Sequence, residues 1–201
     1  MENNTVIIAR QNMYRFLSSL YLFEVDEAQL TALKVIAFPM NNLNEDMREG
    51  YEKISAYLAE KEVNQETLDE LAVDYARIFL SAGVAQGKAA FPYESVYTSK
   101  QHLIMQDAGS SVASLFAEKG LQPREDMYRV PEDHLGLLLE YMALHCGADA
   151  KEQQAFLQNH LCNWVPAFAL DVNKYASTDF YKGVAKLTKG FLTLEKEYLA
   201  L

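Results

Sequence analysis

The chain has 201 residues, half of them hydrophobic, and a formal net charge of −10. That length supports one domain with a substantial core, and no break in composition calls for a second. The acidic balance argues against a nucleic-acid backbone or an anionic membrane surface as main partner, because both would be repelled at long range, and it favours a basic peptide.

The apolar segments are interrupted well before the roughly twenty residues that span a bilayer. Met1-Glu2-Asn3-Asn4 has neither a basic region leading into an apolar core nor a small-residue cleavage site. Two cysteines, Cys146 and Cys162, lie in helical patterns without CxxC spacing and read as buried free thiols. Together these features predict a cytoplasmic protein without an integral membrane segment.

In chain order the dominant period is helical. Val6, Met13, Phe16, Leu17, Leu20 and Tyr21 mark the first amphipathic face. Asp26 and Gln29 form a capping-box pattern for a second helix, with Leu30, Leu33 and Ile36 inward until Pro39. A third helix follows Asn44 and buries Met47, Tyr51, Ile54 and Leu58. The fourth runs from about Gln65 to Leu80 and presents Leu68, Leu71, Ala72, Tyr75, Ile78 and Phe79. Residues 81–90, small and with two glycines, read as a flexible linker.

Beyond it, Phe91-Pro92-Tyr93-Glu94-Ser95-Val96-Tyr97 is an aromatic, proline-containing segment. A helix from about Ser110 to Lys119 stops at Gly120, and Pro131 opens another that ends at Gly147. Asp149 and Glu152 cap the next, which Pro166 bends or breaks. The last helix follows Ser177, with Phe180, Tyr181, Val184, Leu187, Phe191, Leu194 and Tyr198 inward. With no hairpin signal or repeat, the expected architecture is all-α, a single-domain helical bundle over residues 1–201.

Catalytic signatures are scarce. There is no phosphate loop, no GxSxG and no HExxH, and His102, His134, His145 and His160 do not fall at paired ligand spacings. No transition metal, flavin or haem is therefore expected. Asp133 and His134, at the start of an apolar helix, admit two readings. In one, Asp133 caps the helix and His134 fills a satisfied core position. In the other, both face outward, where unpaired backbone N–H groups favour contact with a ligand. Tyr93 and Tyr97 offer apolar faces with polar tips, which suits a peptide groove.

Asp74-Tyr75-Ala76-Arg77-Ile78-Phe79-Leu80, the Phe91 to Tyr97 segment, Pro131-Glu132-Asp133-His134-Leu135 with Leu139-Glu140-Tyr141-Met142, and Phe180-Tyr181-Lys182 together resemble the TorD/DmsD/NarJ family of redox-enzyme maturation chaperones. The resemblance covers most of the chain in order. It implies an all-helical cytoplasmic chaperone that binds the twin-arginine leader of a molybdopterin-containing oxidoreductase and holds it until the cofactor is inserted, before export. Carried over by position, the leader-binding residues are Tyr75, Ile78, Phe79, Pro92, Tyr93, Ser95, Tyr97, Pro131, Asp133 and His134.

Two departures bear on which leader is taken. Many DmsD-like members have tryptophan where this chain has Tyr75, Tyr93 and Tyr97, and an acidic residue before the proline where it has Val130. The alternative from another class is a small helical enzyme using Asp133 and His134 as an acid-base pair. Nucleotide binding, suggested for some relatives, finds no phosphate loop here. The 81–90 linker admits either a monomer or a domain-swapped dimer.

Overall fold

The computed structural model describes residues 4–41, 43–82, 88–104, 107–122 and 130–201. Among them all regular structure is helical: α1 (Asn4–Leu22), α2 (Glu27–Val35), α3 (Glu45–Glu60), α4 (Gln65–Phe79), α5 (Glu94–Thr98), α6 (Asp107–Glu118), α7 (Leu135–His145), α8 (Ala150–Leu157), a π-helix (Gln158–Cys162), α9 (Val165–Tyr175) and α10 (Asp179–Tyr198). The all-α expectation holds. No described helix is long and apolar enough to cross a membrane.

The chain packs as two compact units. The first comprises Met1–Leu22, Pro92–Val165 and Lys196–Leu201; the second comprises Phe23–Phe91 and Pro166–Glu195. In the first unit α1 packs along α7, whose Leu135, Leu138, Leu139 and Met142 are all fully buried. Most of this apolar helix is covered, with Leu144 exposed and Leu137, Glu140 and His145 half-buried. Gly136 lets the two backbones close: a Cβ there would lie 2.4 Å from Leu22 Cγ, and Ser18 Oγ donates to the Gly136 carbonyl at 2.7 Å. The buried face of α1 is Arg10, Tyr14, Leu17, Ser18, Leu20 and Tyr21. Val6, expected inward, is exposed, whereas Arg10 is buried because its guanidinium donates to the Cys146 carbonyl and the Gln153 side chain and lies over the Tyr198 ring.

The second unit is built on α3, α4 and α10. Gly50 of α3 and Gly183 of α10 meet backbone to backbone; a Cβ on Gly50 would lie 2.7 Å from the Leu187 nitrogen. Caps fall where side-chain chemistry puts them. Asp26 accepts from the Gln29 N–H, Asn44 from Met47, Asn64 from Thr67 and Asp149 from Lys151. Asp74 of α4 holds the start of α10. Its carboxylate takes the backbone N–H groups of Ser177 and Thr178, the Thr178 hydroxyl and the Arg77 guanidinium.

Some boundaries differ from the sequence reading. α2 ends at Val35, before Pro39, and leaves Ile36 exposed. Leu194 and Tyr198 of α10 are also exposed. Of the 81–90 linker, residues 83–87 lie outside the described residues. Its ends are held to α4: the Ala82 N–H donates to the Ala76 carbonyl at 3.0 Å, and the fully buried Ala90 donates to Ile78 at 2.7 Å.

Candidate functional site

Proline at 92 and 131 removes backbone donors and keeps both segments extended until a helix can start. The result in the first unit is a short antiparallel junction. Tyr93 and His134 form an isolated bridge, with the Glu94 N–H donating to the Asp133 carbonyl at 3.0 Å and the Leu135 N–H to the Pro92 carbonyl at 2.7 Å. The Tyr93 ring meets the His134 ring edge to face at 4.9 Å between centroids.

α7 starts four residues later than Pro131, and its cap is His134, not Asp133. His134 Nδ1 accepts from the Gly136 N–H at 3.1 Å. That bond requires a lone pair on Nδ1, so the ring is neutral. Burial keeps it so, pushing the imidazole pKa down to about 3.

Asp133 caps the other helix of the junction. One carboxylate oxygen accepts from the Ser95 N–H at 2.8 Å and from the Ser95 hydroxyl, so that Asp133 ties down the first turn of α5. Both residues have no exposed surface. The second oxygen, Oδ1, is buried and has no hydrogen-bond partner among the described residues. It faces the first turn of α6, 3.5 Å from where a Cβ on Gly109 would stand, and the positive end of that helix favours a negative charge there.

Of the ten residues carried over from the resemblance, seven come together at this junction: Pro92, Tyr93, Ser95, Tyr97, Pro131, Asp133 and His134. Pro92, Ser95, Asp133 and His134 are buried; Tyr93, Tyr97 and Pro131 are half-buried and accessible. Burial, with the Asp133 charge second, raises the Tyr93 phenol pKa. Tyr97 stacks on Trp164 at 5.4 Å. The remaining three belong to the second unit. Tyr75, Ile78 and Phe79 are buried in its core, where Tyr75 and Phe79 pack against Tyr181, and Phe79 against Phe168.

The acid-base alternative finds no support in this geometry. Asp133 is bonded to Ser95 and His134 to Gly136, and an imidazole with a pKa of about 3 is neutral at pH 7 and lacks the acidic proton of an imidazolium.

Sequence reasoning missed one polar pair. Glu94 is buried and its carboxylate meets His160 Nδ1 at 3.0 Å, joining α5 to the π-helix. His160 also accepts, through its carbonyl, from the Trp164 indole N–H at 2.7 Å. The π-turn that aims His160 leaves no mark in an apolar-polar pattern. A glutamate between an aromatic and a serine gives no local sign of burial.

Comparison with known proteins agrees with this architecture. The profile of the nitrate reductase delta subunit family matches residues 40–170, more than half of the chain. A chaperone protein TorD from Shewanella pealeana is 28% identical over 99% of this chain and 93% of its own length. Another from Colwellia psychrerythraea is 30% identical over 95% and 92%. A crystal structure described as a redox enzyme maturation protein from Archaeoglobus fulgidus superposes with a TM-score of 0.57, covering 92% of this chain and 93% of that one at 19% identity, which shows a shared fold. The chain belongs to the nitrate reductase delta subunit family, together with the TorD chaperones it resembles along nearly its whole length.

Proposed function

We propose that this protein is a cytoplasmic chaperone that binds the twin-arginine leader of a molybdopterin-containing oxidoreductase and holds it until the cofactor is inserted, before export. The observation that carries the reading is the junction of the Pro92 and Pro131 segments, where accessible aromatic rings stand over a fixed polar frame. Tyr93, Tyr97 and Pro131 meet the apolar part of the leader. Pro92, Ser95, Asp133 and His134 set their positions, and the Asp133 charge favours a guanidinium nearby. Tyr75, Ile78 and Phe79 are buried in the second unit and hold its core.

The energetics are those of peptide capture. Apolar burial contributes about 25 cal/mol per Å², and ordering a flexible leader offsets part of it. Tyr93→Ala and Tyr97→Ala test the reading in a leader-peptide titration. The expected loss of affinity is about tenfold or more for at least one of them, as for truncating an aromatic contact, with circular dichroism unchanged. Normal binding by both folded variants would remove the junction from the binding surface.

A further inference from the structure

Glu94 and Tyr97 stand one turn apart on α5, and residues at that spacing share a helix face. His160 and Trp164 stand where the π-helix gives way to α9. In the first unit these four close a circuit. The Glu94 carboxylate and His160 Nδ1 share a hydrogen bond at 3.0 Å. The His160 carbonyl accepts from the Trp164 indole N–H at 2.7 Å, while the Trp164 backbone N–H turns to the Leu161 carbonyl at 3.3 Å. The Trp164 ring in turn stacks on Tyr97, with 5.4 Å between centroids and 25° between planes.

The circuit supplies what α5 lacks. A helix of five residues closes too few hydrogen bonds to offset its own nucleation, so ties to other elements must set its orientation. Asp133 ties the Ser95 end, and Glu94 ties the same turn to the π-helix. Glu94 and Trp164 are buried and the His160 side chain is 15% exposed, whereas Tyr97 is the member that the junction leaves accessible. A buried pair such as Glu94 and His160 adds little stability over apolar side chains of the same volume, so what it contributes here is geometry. A ring fixed before binding loses less freedom when a peptide settles on it.

We propose that Glu94, His160 and Trp164 are positioning residues that preset the Tyr97 ring for the leader. They act through Tyr97 and touch no peptide themselves. This inference rests on the leader-binding reading, and adds to it three residues that no local pattern connects.

The test is a double-mutant cycle on the whole protein, titrated with a synthetic peptide of the client oxidoreductase's twin-arginine leader. Glu94→Ala should weaken binding about three- to tenfold in the wild-type background and by no further factor in the Tyr97→Ala background, the signature of a residue acting through another. Glu94→Gln, whose amide still bonds an imidazole nitrogen, should restore most of the affinity. Trp164 is the only tryptophan. Its ¹⁵N-labelled indole N–H is thus a single signal, which should shift in free Glu94→Ala and return towards its wild-type position in Glu94→Gln. Trp164→Phe keeps a ring under Tyr97 but removes the bond to His160, and should repeat the cycle if Glu94→Ala does not fold. Equal losses from Glu94→Ala or Trp164→Phe with and without Tyr97, normal binding by Tyr97→Ala, or an unmoved indole signal in folded Glu94→Ala would each overturn the proposal and leave leader binding to Tyr93. No binding by the wild type would remove the leader reading, and this proposal with it.

Discussion

Asp133 and His134 are neighbours in sequence, yet each starts a different helix, and they respond differently to substitution and to pH. Removing the Asp133 carboxylate leaves the buried Ser95 N–H and hydroxyl without their acceptor. Asp133→Ala should therefore lose about 2 to 3 kcal/mol in urea denaturation. Asp133→Asn should lose less, because an amide oxygen still accepts from Ser95. His134 is neutral when folded, with a pKa of about 3, and titrates near 6.5 when unfolded. The unfolded chain thus takes up the proton first as pH falls. The stability held by the neutral ring is complete above 6.5 and is lost progressively below it, by about 2 kcal/mol between pH 7 and pH 5. His134→Asn keeps an acceptor for the Gly136 N–H and does not titrate, so its stability should fall less over that interval. Sequence alone placed both residues at a helix start. It could not assign Asp133 to α5, because that partner lies 38 residues upstream and no spacing rule connects them.

Among the elements, boundaries were legible wherever a cap is local. Asp26, Asn44 and Asp149 each bond within three residues, and Gly120, at φ 67, closes the segment after α6 as a glycine can. Contacts between elements were not legible, and Asp74 is the strongest case. Burial would raise its carboxyl pKa, but the donors of Ser177, Thr178 and Arg77 outweigh that and hold it below the ordinary carboxylate range. A depressed carboxyl stabilises the fold above its unfolded pKa, and this stability is lost as pH falls through the folded value. Asp74→Ala should cost about 3 kcal/mol by leaving buried donors at the start of α10 unpaired. Asp74→Asn should show a weaker pH dependence below pH about 4, read from acid-unfolding curves. The crossing of α3 and α10 leaves no room for a methyl group on Gly50, so Gly50→Ala should lower stability by about 1 to 3 kcal/mol in the same assay.

For the molecule as a whole, the helical class was plain from apolar periodicity. Division into two units was not, because both are assembled from segments far apart in sequence. Periodicity tells which face of a helix is covered, not which helix covers it. Tyr75, Ile78 and Phe79 illustrate this: their stripe predicts burial, and only the fold supplies Tyr181 and Phe168 as neighbours. The net charge of −10 is also a property of the whole. On the proposed function it would draw a basic leader at long range, but exposed charges are screened beyond about 8 Å at physiological ionic strength, whereas each buried methylene contributes about 0.8 kcal/mol. Affinity should consequently depend more on Tyr93 and Tyr97 than on salt. The most direct measurement is calorimetric titration of this protein with its client oxidoreductase, once with the twin-arginine leader and once without it. The leader-bearing form should bind more tightly, by tenfold or more. Equal affinity for the two forms would contradict leader recognition.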